Sequence, residues 1–86
     1  MSAYQDKLFA LMKRCDQLLA DMDKLIKKIK IIRDDAYPYK KTITKDDYEK
    51  YPPLKRETER YKKKLNEFCI NSEELIRVMN DVSNDS

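Results

Sequence analysis

The sequence has no glycine, no histidine and no tryptophan. Without glycine it cannot build a glycine-rich phosphate cradle. Without imidazole it has neither the base of a Ser/His or Cys/His triad nor the ligand most zinc sites use. Cysteine is nearly absent too: Cys15 and Cys69 are the only two, too few for the disulfide framework of a small secreted domain. They also lack the close CxxC spacing of a metal or redox site. Apolar runs are equally scarce, with nothing near the ~18 consecutive residues needed to cross a bilayer. The first residues include Asp6, Lys7, Lys13 and Arg14, which leaves no uninterrupted apolar core of about 7 to 15 residues for a signal peptide. These absences point to a non-catalytic, cofactor-free and metal-free intracellular chain, cytoplasmic or nuclear, with no small-molecule substrate and no transmembrane segment.

Two classes of residue are present in quantity. Charged side chains make up 41% of the 86 residues and hydrophobic ones another 41%, at a mean hydropathy of -0.89. A chain this short has interior enough for one domain, spanning 1–86. Its apolar residues are useful only if a regular period collects them on one side of an element.

They are so collected. From the N-terminus, Leu8, Leu11, Cys15, Leu18, Met22, Leu25, Ile29 and Ile32 follow one another in alternating steps of three and four. That is a heptad stripe, and it predicts a helix over about 3–34. With Leu8 at a and Leu11 at d, the residues Met12, Leu19 and Ile26 all fall at e, which widens the stripe beyond a two-stranded seam. Only Phe9, Ile31 and a few small residues break the polar pattern on the remaining positions.

The pattern resumes with Leu54, Thr58, Tyr61, Leu65, Phe68, Ser72, Leu75, Met79 and Val82, broadened by Cys69 and Ile76. It predicts a second helix over about 53–82, opened by Pro52 and Pro53 where a missing N–H costs nothing, and followed by a frayed end at 83–86. Asn71-Ser72-Glu73-Glu74 resembles a fresh helix start, but the heptad phase passes through it without a skip, so a single helix is expected. The connection, 35–52, is long at about eighteen residues. Within it Thr44 and Asp47 are spaced as a helix start that could carry a short turn over 45–50, and Tyr37 should be extended because Pro38 follows it. The tyrosines Tyr37, Tyr39, Tyr48 and Tyr51 offer apolar bodies to pack over the helix ends.

Two helices of about thirty residues, each ~45 Å long, match in length and can fold back on each other. The expected fold is therefore all-α: an antiparallel helical hairpin of two long amphipathic heptad helices, contributing to a coiled-coil or four-helix bundle. Pairing Ile32 with Leu54 sets Met22 near Leu65, Leu18 near Phe68 and Cys69, Cys15 near Ser72, and Leu8 near Met79. Both cysteines are then expected to be small buried hydrophobes, not a bridge.

A three-position stripe needs more than one neighbour. The function this predicts is a structural or adaptor subunit that assembles with other proteins through a helical bundle. The interface would use Leu8, Leu11, Met12, Cys15, Leu18, Leu19, Met22, Leu25, Ile26, Ile29 and Ile32 of the first helix. From the second it would use Leu54, Tyr61, Leu65, Phe68, Cys69, Leu75, Ile76 and Met79. A different protein is expected as partner ahead of a second copy, because Thr58 and Ser72 weaken a self-complementary seam.

Charge suggests an alternative. Net charge is only +3, but Lys24 to Lys64 holds 15 Lys+Arg against 7 Asp+Glu, a local surplus of +8 that leaves -5 for the rest. A hairpin would then have a basic tip and an acidic base. Lys27, Lys28, Lys30, Lys40, Lys41, Lys62, Lys63 and Lys64 could serve a polyanion-binding module for nucleic acid, an anionic membrane or an acidic protein tail. The simpler reading of interleaved lysines and acids, including the run Arg60 to Lys64, is a solvated helix face. The pairs Asp34-Asp35, Asp46-Asp47 and Glu73-Glu74 read as capping or solvating groups, because neighbouring helix positions diverge by about 100° and do not converge on a site.

Overall fold

The computed structural model describes the backbone of residues 2–85 and the side chains of residues 2–81. Three helices follow in order: α1 at Ala3–Ala36, α2 at Lys45–Lys50 and α3 at Pro52–Asp85. The chain is an all-α helical hairpin, with α1 and α3 packed along their lengths and α2 resting on α3 at the tip. Its long axis is 57 Å and its radius of gyration 18.0 Å, against about 12 Å for a compact chain of this length.

Each boundary has a local cause. Ser2 starts α1 by accepting the Gln5 amide at 3.2 Å, while the Gln5 side chain accepts the Ser2 amide, so two otherwise unpaired donors are satisfied reciprocally. The helix runs two residues past the expected 34 and ends where Pro38 approaches. Tyr37 leaves the helical region at φ -134°, ψ 63°, short of the fully extended conformation expected before proline, because its amide still bonds the Arg33 carbonyl at 2.8 Å. No described residue has positive φ, so every turn is made without the left-handed geometry that glycine would supply.

The Thr44 start is present. Thr44 Oγ1 accepts the Asp47 amide at 3.3 Å and Asp47 Oδ2 accepts the Thr44 amide at 3.1 Å, and α2 occupies the expected 45–50. At the head of α3, Pro52 and Pro53 bring no N–H, and the ladder begins with the Lys55 amide donating to the Tyr51 carbonyl at 3.0 Å. The helix continues unbroken through Asn71 to Asp85. The fraying expected at 83–86 falls on side chains, and for Ser86 a backbone, outside the described residues.

The register agrees with the one the stripes predict. Cys15 Sγ lies 3.8 Å from Ser72 Oγ, and Asp21 meets Lys64 and Lys28 meets Glu57 across the pair. Among the described residues, Leu18, Met22, Leu54 and Val78 are the buried apolar side chains. Two expectations fail here. Cys69 is exposed, not buried, because α1 covers only the near side of α3, while Cys15 is half-buried; both are free thiols. The tyrosines do not all pack over the tip: Tyr39 is 98% exposed, since its position after Pro38 carries it away from both helices, and Tyr51 lies in the open as well.

The core makes a direct prediction. Leu18→Ala removes a fully buried side chain and should lower the unfolding free energy by about 2–5 kcal/mol in urea denaturation followed by circular dichroism. Ile70→Ala, on the exposed outer side of α3, should leave it within about 0.5 kcal/mol.

The tip makes a second. The Lys40 ammonium, 2.9 and 3.0 Å from the two Asp47 carboxylate oxygens, together with the Thr44 amide, holds the Asp47 carboxyl below the usual carboxylate range against the opposing effect of burial. A lowered folded pKa contributes stability that is complete above the ordinary carboxylate range and is lost as pH falls through the lowered value. Asp47→Asn should therefore loosen residues 44–50 at neutral pH and make no difference in strong acid. Amide exchange, corrected for its intrinsic pH dependence, checks this.

Candidate protein interface

The two sides of the hairpin are built differently. On α1, Leu11, Leu18 and Leu25 lie on the line that faces α3. Three positions on, about 60° round the helix, come Arg14, Asp21 and Lys28, with Lys7 a further two turns toward the N-terminus. Each meets an opposite charge on α3. Lys7 Nζ is 3.1 Å from Glu74, Arg14 is 3.1 Å from Glu67, Asp21 is 3.6 Å from Lys64 and Lys28 is 3.2 Å from Glu57. The pairs recur about every seven residues of α1, so one flank of the groove is bridged by a ladder of ions, with shallow clefts left between them beside Leu11 and Leu25. Glu74 is held below its usual titration range, first by the Lys7 ammonium and then by Arg77, which also contacts it directly.

Glu57 is the most enclosed member, at 3% exposure. Its Oε1 takes both Lys28 and Arg60, while Oε2 has no hydrogen-bond partner. Glu57, Lys64, Asn71 and Val78 stand seven apart and form the line of α3 on this side. Asn71 does not start a new helix. Its Nδ2 donates to the Leu11 carbonyl at 2.9 Å and contacts Cys15 Sγ at 3.0 Å, tying the helices in register. Apolar periodicity missed this line because three of its four residues are polar. Val78, buried at its end, was passed over for that reason.

The opposite flank has no such ladder. Met12, Leu19 and Ile26 sit one residue on from the Leu11–Leu18–Leu25 line, about 100° round α1 on the side away from the ions. Cys69 and Ile76 hold the corresponding place on α3, with Leu65 just inside them. Met12 is 51% exposed, Leu19 48%, Leu65 39% and Ile76 57%. A strip of apolar side chains thus runs along this side of both helices. These are the residues the widened heptad stripes single out.

The remaining interface candidates sort by depth. Leu18, Met22 and Leu54 are buried between the helices. Leu8, Leu11, Cys15, Leu25, Ile26, Ile29, Ile32, Tyr61, Phe68 and Leu75 are half-buried, and Met79 is half-exposed near the open end. Phe9, Ile31 and Ile70 point outward from the pair, with Lys13 Nζ placed 5.6 Å from the Phe9 ring centre.

The basic candidates are not gathered into one patch. Lys27 pairs with Asp23, Lys28 with Glu57, Lys40 with Asp47, and Lys64 with Asp21 and Glu67. Lys40 is held further by lying 5.3 Å above the Tyr37 ring, whose hydroxyl donates to the Asp47 carbonyl at 2.7 Å. Among the described residues, Lys30, Lys41, Lys62 and Lys63 pair with no acid, and they are spread over α1, the connection and α3. A cleft of about 340 Å³ between α2 and α3 is lined by Lys45, Lys55 and Lys62 together with Glu49 and Glu59, so its charges largely cancel. Among the described residues no acid or cysteine cluster could hold a metal ion, and no helix is long and apolar enough to cross a membrane. Comparisons with protein-family models, with curated proteins and with solved structures give no match, so the two unlike flanks carry the functional reading.

Proposed function

We propose that this chain is a non-catalytic structural or adaptor subunit, working inside the cell, whose activity is to complete a helical bundle through the flank carrying Met12, Leu19, Leu65 and Ile76. The observation that supports it is the contrast between the flanks: one is bridged by interhelical ion pairs, while the other leaves large apolar side chains about half exposed in a continuous line. An extended apolar line rimmed by polar residues suits association better than solvation.

The surface area supports the same reading. The chain exposes 6829 Å², against about 5,400 Å² for a compact monomer of its mass. The difference, about 1,400 Å² per chain, is surface that an elongated 57 × 19 × 19 Å helix pair keeps in water and a thicker bundle would not. Polyanion binding has less support, because four of its eight candidate lysines are already engaged by acids of the same chain.

Leu19→Asp and Ile76→Asp place a charge on the open flank without touching the α1–α3 core. Helicity by circular dichroism should be unchanged, while the mass by light scattering, at micromolar concentration or in a complex reconstituted from extract, should fall to that of the 10.4 kDa single chain. Retention of the larger species by both variants would place the interface elsewhere. A wild-type chain that stays single under both conditions would refute assembly.

A further inference from the structure

We infer that the open flank is covered by a second copy of this chain in a tip-to-base, two-fold arrangement that brings the two Cys69 residues to the centre of the dimer. The inference rests on the assembly reading above and names its partner. Three observations carry it.

The first is charge. The half of the hairpin on the tip side of Leu19, residues 20–67, holds 15 Lys+Arg against 10 Asp+Glu, a surplus of +5, and the remainder carries -2. Two hairpins can join these flanks with two-fold symmetry in two ways. If the axis runs along the hairpin, tip lies over tip and +5 meets +5. If it runs across the hairpin, tip lies over base and opposite charges meet. The distribution selects the second.

The second is register. An axis across the hairpin stacks α1 on the partner's α1 in reverse direction. Met12, Leu19 and Ile26 are evenly spaced about Leu19, so an axis at Leu19 sets Leu19 on its own copy and Met12 on Ile26 of the partner subunit. At the matching level of α3, Cys69 falls within about one turn of the axis. The same operation places Lys62 across from Glu73 of the partner subunit. Both are exposed in the single chain, and neither has an ion-pair partner among the described residues.

The third removes the objection that the seam hydroxyls oppose self-association. Thr58 Oγ1 donates to the Leu54 carbonyl at 2.7 Å and Ser72 Oγ contacts Cys15 Sγ, so each has a partner within its own chain.

The test uses the purified full chain. Sedimentation equilibrium should show a dimer of the 10.4 kDa chain. With Cys15→Ser, which leaves Cys69 as the sole thiol, a short bismaleimide should give a covalent dimer, and Leu19→Asp should abolish it. Lys62→Glu should weaken dimerisation by about two- to fivefold, the range of an exposed ion pair, and adding Glu73→Lys should restore it. In a background lacking both cysteines, Lys41→Cys at the tip should not cross-link.

A dimer that links through Lys41→Cys and not through Cys69 would overturn the tip-to-base arrangement. A purified chain that is single at every concentration, yet enters a larger species in extract that Leu19→Asp abolishes, would overturn the second copy while leaving flank-mediated assembly standing. A chain single under both conditions would overturn both.

Discussion

A helix packed against one neighbour hides only the strip that faces it, and everything characteristic of this molecule follows from that limit. Both long helices carry an apolar stripe three positions wide. Their mutual contact covers the inner part, burying Leu18, Met22 and Leu54 completely or nearly so, and leaves Met12, Leu19 and Ile76 about half in water. Helices with a narrower stripe could have formed a self-sufficient pair. These pair and still have a side to cover.

The polar side of the pair gives it definition. Apolar stripes of this kind tolerate sliding by a heptad, because one leucine fits much as another does. The ladder Lys7–Glu74, Arg14–Glu67, Asp21–Lys64 and Lys28–Glu57 would be mismatched by such a slip. Surface ion pairs contribute little stability individually. Their service here is alignment, reinforced by Asn71, whose side chain reaches the Leu11 carbonyl across the seam. The tip is organised in a comparable manner around Asp47, which caps α2 and holds Lys40 while its backbone carbonyl takes the Tyr37 hydroxyl. A long connection without glycine is thereby ordered by side chains instead of by special backbone geometry.

Much of this was legible beforehand where the signal was local or periodic. The Thr44/Asp47 start of α2, the two prolines opening α3 and the register of Cys15 against Ser72 all follow from spacing alone. The structure departs from the sequence reading where a residue's surroundings come from distant parts of the chain. Cys69 looked interior because it lies beside Phe68, yet it sits on the wrong arc of α3 for α1 to reach. Tyr39 looked like a packing group and is left in solvent. Glu57 has no apolar period to mark it, and it is a buried acceptor for Lys28 and Arg60.

What the sequence determined by itself was the pair of helices, their boundaries to within a few residues, their antiparallel register and the excess width of their apolar stripes. Those depend on period and on capping chemistry, which act over a few residues. What only the tertiary structure decided was which side of the groove is bridged by ions. Glu57, Lys64, Asn71 and Val78 form the polar-sided line on α3, and the residues one step beyond each apolar stripe form the open one. That distinction is set by the angle at which each side chain meets the opposite helix, and charges from about thirty to nearly seventy residues away decide it.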